Sequence, residues 1–277
     1  KVKAGSILDV DGALLISGGE FTLRARGDTF TGSHFFDGSA TISGGKLDVG
    51  TSTAVFRLGL TLSSGVYVMP PSGGRVEMGG NFSVTGGTFQ AMGVNNWITS
   101  TDPGNVRYAF SLNAGSVNVT GMTLESMDVT GASVTVSFST NIVAFDNVRY
   151  RQGAPGGAGL RYNLTTGQIT FTGHDFDGTF STNVYAPSLS TSVYLIMSGA
   201  TGPKAGPSYE QDPGNGVYWG LAPIPGSFAA TAQSPTSINW TWTDGPDEQG
   251  YRVRQGTSST IYLSTGPNFA SWTKSGL

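Results

Sequence analysis

The 277-residue chain contains no cysteine, only two histidines and few charges. Without cysteine there can be no disulfide, no thiolate nucleophile and no thiolate metal ligand. Charged residues make up 12% of the chain, about half of the ~25% usual in globular domains. The net charge is −3 and no Lys/Arg cluster occurs, which argues against nucleic acid as a partner. No apolar run approaches the ~20 residues that a membrane-spanning helix needs. No stretch combines a helical period with capping residues, so a helical fold is excluded as well.

What remains is β-forming sequence broken by turns. Glycine contributes 42 residues, about twice its usual ~7% share. Ser133-Val134-Thr135-Val136-Ser137-Phe138 and Gln168-Ile169-Thr170-Phe171-Thr172 alternate apolar with hydroxyl residues, the pattern of strands with one buried face.

One six-residue phrase recurs: apolar, hydroxyl, Gly, Gly, variable, apolar. It reads Ile16 to Phe21, Ile42 to Leu47 and Val84 to Phe89, with looser versions at Leu62 to Tyr67, Leu112 to Val117, Val129 to Val134 and Leu164 to Ile169. Their first residues lie 26, 20, 22, 28, 17 and 35 positions apart. Such self-similarity marks stacked repeats, each too small to bury its apolar face alone. Phe21, Leu47, Phe89, Val117 and Ile169 hold the same place in their phrases, so they are expected to stack on one inner face.

Further echoes support a repeat. Asn105-Val106-Arg107-Tyr108 returns as Asn147-Val148-Arg149-Tyr150. Asp-Pro-Gly-Asn occurs at 102–105 and 212–215, where Pro then Gly suits a type II turn with positive φ at the glycine. Thr29 to Gly38 resembles Thr170 to Gly178, and both histidines, His34 and His174, fall inside this pair.

Coils of this size with two or three short strands resemble those of a right-handed parallel β-helix, and Lys3 to Leu14 looks like a coil of large bacterial surface proteins of that class. The resemblance covers residues 1–222. Pro223-Ile224-Pro225-Gly226 reads as a linker. Ser227 to Ala232, Thr236 to Trp242, Gly250 to Val253 and Asn268 to Trp272 resemble strands of a fibronectin type III domain over residues 223–277. The expected fold is therefore all-β: a right-handed β-solenoid followed by an incomplete immunoglobulin-like sandwich.

Residues that could carry chemistry are few. The histidines sit in a repeated phrase, which favours a structural role over a catalytic one. Asp175 and Asp177, at i and i+2, should point to one side of a strand and form the best acidic pair for glycoside chemistry, with Asp37 in the related phrase. Asp9-Val10-Asp11-Gly12 resembles a fragment of a calcium loop but lacks its remaining acidic positions. Trp97 and Trp219 could stack on sugars, although such aromatics more often pack in a core. Asn81, Asn118, Asn163 and Asn239 head N-x-S/T sequons, which only a glycosylating host would use.

No catalytic, cofactor or metal site is expected from these residues. The reading they favour is a structural segment of an extracellular filament, sheath or surface stalk. Other copies of the chain would join head-to-tail through open β edges, with Val2, Ile7, Val10, Trp242, Tyr251, Trp272 and Leu277 at the junction. In particular, Trp242, Tyr251 and Trp272 are expected to lie partly uncovered where strands of the sandwich are missing. A surface adhesin that binds glycans, with the solenoid as spacer, is the second reading. A β-helix polysaccharide lyase or hydrolase is the third.

Overall fold

The computed structural model describes residues 7–23, 33–136, 140–164, 167–190, 192–220, 226–243, 252–254, 261–264 and 270–276. The chain divides into two compact units, residues 1–217 and 218–277. The first is a parallel β-solenoid of about eight turns. One sheet has eight strands, and a second has nine, both wholly parallel. Each turn gives one strand to the first sheet and one, through a short corner, to the second.

Register is unbroken in the first sheet and shifts locally in the second, and in both it lines the core up in columns. In the first sheet His34, Ala54, Val76, Ile98, Leu124, Tyr150 and Phe176 follow one another across seven strands, all fully buried. In the second, Ile16, Ile42, Leu62, Val84, Leu112 and Val134 form another. Successive strands present like residues at like places, so each coil buries its neighbour's apolar side chains.

The double glycine bends the second-sheet strands around a corner. Gly19, Gly45, Gly65, Gly87 and Gly115 all have positive φ, a conformation glycine adopts without the Cβ penalty. Beyond the bend runs the column that the repeated phrase predicts: Phe21, Leu47, Tyr67, Phe89, Val117 and then Ile142. Leu47, Tyr67, Phe89 and Val117 are fully buried, while Phe21, in the first described coil, is half-buried.

Ile169 does not belong to this column. It pairs with Leu195 in a separate three-stranded sheet of Gln168–Thr172, Tyr194–Ser198 and Val217–Trp219. From Met127 onward the long bent strand is replaced by two strands: Met127–Val136 carries the first half of the register, Thr140–Phe145 the second. The phrase at Val129 is therefore out of phase, because Val134, its last residue, pairs with Leu112, the first residue of the preceding phrase. Tyr162, two positions before the phrase at Leu164, continues the column from Val134.

Two other sequence echoes are not spatial ones. Tyr108 lies in the second sheet and pairs with Met127, whereas Tyr150 lies in the first and pairs with Leu124. Gly104 and Gly214 are not among the positive-φ residues, so the Asp-Pro-Gly-Asn turns are not type II; Asn215 takes the positive φ instead. The Asp102 carboxylate explains the difference at the first turn: it accepts the Gly104 N–H at 3.3 Å and the Asn105 side-chain amide at 2.8 Å. This Asx turn holds the backbone without a left-handed residue.

In the second unit, Gly226–Ser234, Ser237–Thr243 and Ser271–Ser275 form a three-stranded antiparallel sheet. Arg252–Arg254 and Ile261–Ser264 form an antiparallel pair. Trp240 and Trp272 face each other across the larger sheet. Trp242 is buried, 5% exposed, which corrects the expectation that it lies partly uncovered. Trp272 is half-buried. Val2, Tyr251 and Leu277 lie outside the described residues.

Candidate functional site

The outer surface of the first sheet carries hydroxyl and charged side chains together with Phe35 and Trp97. Its outward positions flank the buried column at i−1 and i+1, as strand alternation requires. One outward row is Ser33, Thr53, Arg75, Trp97, Thr123, Arg149 and Asp175. The other begins Phe35, Val55, Glu77 and Thr99, and ends Glu125, Arg151 and Asp177. Thr99 bridges the two parts by donating its hydroxyl to the Glu125 carboxylate at 2.9 Å.

Asp175 and Asp177 point outward together on either side of buried Phe176, as their spacing predicts. Each faces an arginine of the preceding turn. Arg149 Nε lies 3.0 Å from Asp175, and Arg151 Nε lies 4.0 Å from Asp177. Arg151 also stands over the Trp97 ring at 5.8 Å. Both carboxylates are thus engaged in an ion-pair ladder along the outer face. Asp37 is not brought to this pair. It follows the second strand of the sheet, Asp175–Asp177 is the last, and Asp37 is bound to Arg57 at 2.8 Å.

Asp37 instead meets Asp9 and Asp11, whose carboxylate oxygens lie within 4.8 Å of its own. Asp9 and Asp11 are exposed. The calcium-loop fragment thus gains a third carboxylate from the next turn, but that carboxylate is already committed to Arg57.

Both histidines face inward and are fully buried. His174 lies 3.0 Å through Nδ1 from the Tyr150 hydroxyl and 2.7 Å through Nε2 from the Phe145 carbonyl. Burial pulls its pKa down to about 4, opposed by the hydrogen bond to Phe145. His34 accepts the Leu8 N–H at Nδ1, 3.2 Å away, and burial lowers its pKa too. Neutral, enclosed imidazoles within an apolar stack have no route to a substrate. Ile7 is exposed and Val10 half-buried in the first described coil, and Trp219 is half-buried in the third sheet.

This face carries a groove of about 440 Å³ lined by Phe35, Val55, Arg57, Glu77, Gly79, Thr101 and Val106. Sequence reading missed it. The four consecutive strands that bear it, starting at Ser33, Thr53, Arg75 and Trp97, share no residue pattern, and the first three form its floor with Phe35, Val55 and Glu77. Their starting positions lie 20, 22 and 22 apart, and that spacing is the signal that aligns them. The wall beyond them is the first Asp-Pro-Gly-Asn turn, closed by Asn105 N–H and Val106 N–H to the Asp102 carbonyl at 3.0 and 2.8 Å.

Comparison with known proteins finds no match of the chain to a family profile, a curated protein or a solved structure.

Proposed function

We propose that this chain is a structural, non-enzymatic segment of an extracellular filament, sheath or surface stalk, with bacteria as its source. The observation that carries the reading is the continuous in-register stacking of the solenoid, whose inner columns run the length of the first sheet. Such a stack makes a rod that grows by adding identical coils. Right-handed winding is the expected hand for parallel crossovers. Only 12% of the residues are charged, and Asp175 and Asp177 are each engaged by an arginine, Arg149 and Arg151.

The second unit supports an immunoglobulin-like, fibronectin type III reading. Its first, second and fifth strands share one sheet while the third and fourth pair separately, the distribution that such a sandwich gives to those strands. Modules of this kind suit a surface stalk.

Self-association would use the open edge of the second sheet. Leu14–Thr22 is its terminal strand among the described residues, with Leu15 exposed at 65%. An unpaired strand edge is a template for another chain, and a head-to-tail contact of this kind builds filaments when it does not close a ring.

Electron microscopy of the native material tests the proposal. Rods or filaments support it; isolated globular particles at high concentration contradict it. A parallel screen on pectin and alginate should give no turnover, and turnover lost in Asp175→Asn or Asp177→Asn would overturn the non-enzymatic reading.

The second reading, a glycan-binding surface protein with the solenoid as spacer, is favoured by the groove over Val55 and by Trp97 on the same outer face.

A further inference from the structure

The geometry points to the groove over Val55 as a binding site for a neutral oligosaccharide; this rests on the glycan-binding reading and assigns its place and ligand class. At about 440 Å³ the groove falls within the ~300–1,000 Å³ of small-ligand sites. Its lining is unusual for this molecule. Outward positions of the first sheet elsewhere are largely hydroxyl or charged, but here Phe35 and Val55 are adjacent on neighbouring strands, with Val106 on the turn opposite. Phe35 and Val106 are half-buried and Val55 only 5% exposed, so Phe35 and Val106 carry the accessible apolar surface of the groove.

Charge narrows the ligand. Arg57 is paired with Asp37 and Arg75 with Glu77, each at 2.8 Å. Each charge is offset by its partner, so net charge favours neither an anion nor a cation here, and a neutral ligand leaves both pairs in place. Guanidinium groups still carry further N–H donors, carboxylates further lone pairs, and Thr101 adds a hydroxyl. Donors and acceptors therefore stand side by side around an apolar floor. A sugar matches that arrangement, since its hydroxyls both donate and accept and its ring carries an apolar C–H face.

An extended peptide does not fit. The strands under the groove are interior to the sheet, and their backbone groups are used by neighbouring strands, so no edge is open for strand addition. The site is also rigid. Its floor is three paired strands, and its far wall is the hydrogen-bonded turn from Asp102 to Val106, so little ordering opposes binding. Three strands at about 4.8 Å spacing give a length of about 10 Å, room for a short stretch of a sugar chain.

Isothermal titration of the full chain with cellohexaose, mannohexaose and polygalacturonate tests this, with Phe35→Ala and Thr101→Val as variants. Phe35 is half-buried, and circular dichroism checks that both variants keep the wild-type fold. The expected result is binding of at least one neutral hexasaccharide, weakened by about tenfold or more in Phe35→Ala and measurably in Thr101→Val. Binding that both variants leave unchanged moves the site elsewhere and overturns this inference, while glycan binding itself stands. A preference for polygalacturonate overturns the neutral class. Failure to bind any of the three overturns both this inference and the glycan-binding reading on which it rests.

Discussion

Gly87 sits directly over Gly65, so close that a Cβ on Gly87 would stand 2.5 Å from the Gly65 carbonyl oxygen. Gly65 bears the same relation to Gly45, again at 2.5 Å. Together with the positive φ of each, this makes the corner of the second sheet a ladder where only glycine fits. Gly87→Ala must carry both the left-handed backbone, about 1–2 kcal/mol, and a clash with backbone that cannot move aside. A loss of about 3 kcal/mol or more is expected in urea unfolding. Gly18 has open space around it, and Gly18→Ala should change stability by no more than about 0.5 kcal/mol. Equal effects of the two substitutions would contradict the ladder.

Phe89 and Ile169 separate the true inner column from the apparent one. Phe89 is fully buried, with Tyr67, Phe82 and Phe110 rings 5.4 to 5.8 Å away. Phe89→Ala should cost about 3–5 kcal/mol, as for buried aromatics in general. Ile169 is half-buried in a different sheet, and Ile169→Ala should cost less than half as much. Thermal melts of the two variants, compared with wild type, check the ranking.

The contrast explains what the sequence makes legible. The glycine corner is readable because a positive-φ bend demands one residue type and its apolar flanks repeat around it, as at Ile16, Ile42 and Val84. The pattern misleads at Val129, where Gly131 also has positive φ but the chain starts a new strand at Thr140 instead of continuing round the same bend. A phrase constrains local backbone; it does not reveal where an extra strand enters the register. The outer face is harder still. Its strands are constrained inward by His34, Ala54, Val76 and Ile98, so the outward residues vary freely, and the groove depends on a turn at Asp102–Val106 meeting strands as far back in the chain as that of Phe35.

The buried histidines give the fold an acid limit. His174 has its pKa lowered from 6.5 to about 4 in the folded chain by burial. The folded state therefore binds its proton less readily than the unfolded chain does. The contribution of the neutral imidazole is complete above about pH 6.5 and is lost as pH falls toward about 4. A shift of this size corresponds to about 3 kcal/mol. His34 shifts in the same direction. Urea midpoints at about pH 7.5 and about pH 4.5 should differ, with lower stability in acid. His174→Phe, placed among Phe145, Phe171 and Phe176, should reduce that difference without abolishing it, because His34 still titrates. A pH dependence unchanged in His174→Phe would show that other groups control it.

Leu15 tests assembly. It points outward from the edge strand Leu14–Thr22 at 65% exposure, in the same outward row as Thr41, Thr61 and Ser83. Those neighbours are hydroxyl residues, and only at the end of the row does a large apolar side chain take the place. Ile7, also 65% exposed, belongs to the same first described coil. A charged residue on an edge strand is a common device against edge pairing, so Leu15→Lys should suppress growth of rods while leaving the core columns intact. The expected outcome is an unchanged melting temperature for the monomer and a loss of large species in analytical ultracentrifugation. Thr61→Lys, on the same row but on the third strand from the edge, is the control and should still assemble. If both variants form filaments like the wild type, the junction does not use this edge, and the proposed head-to-tail contact through the first coil is wrong.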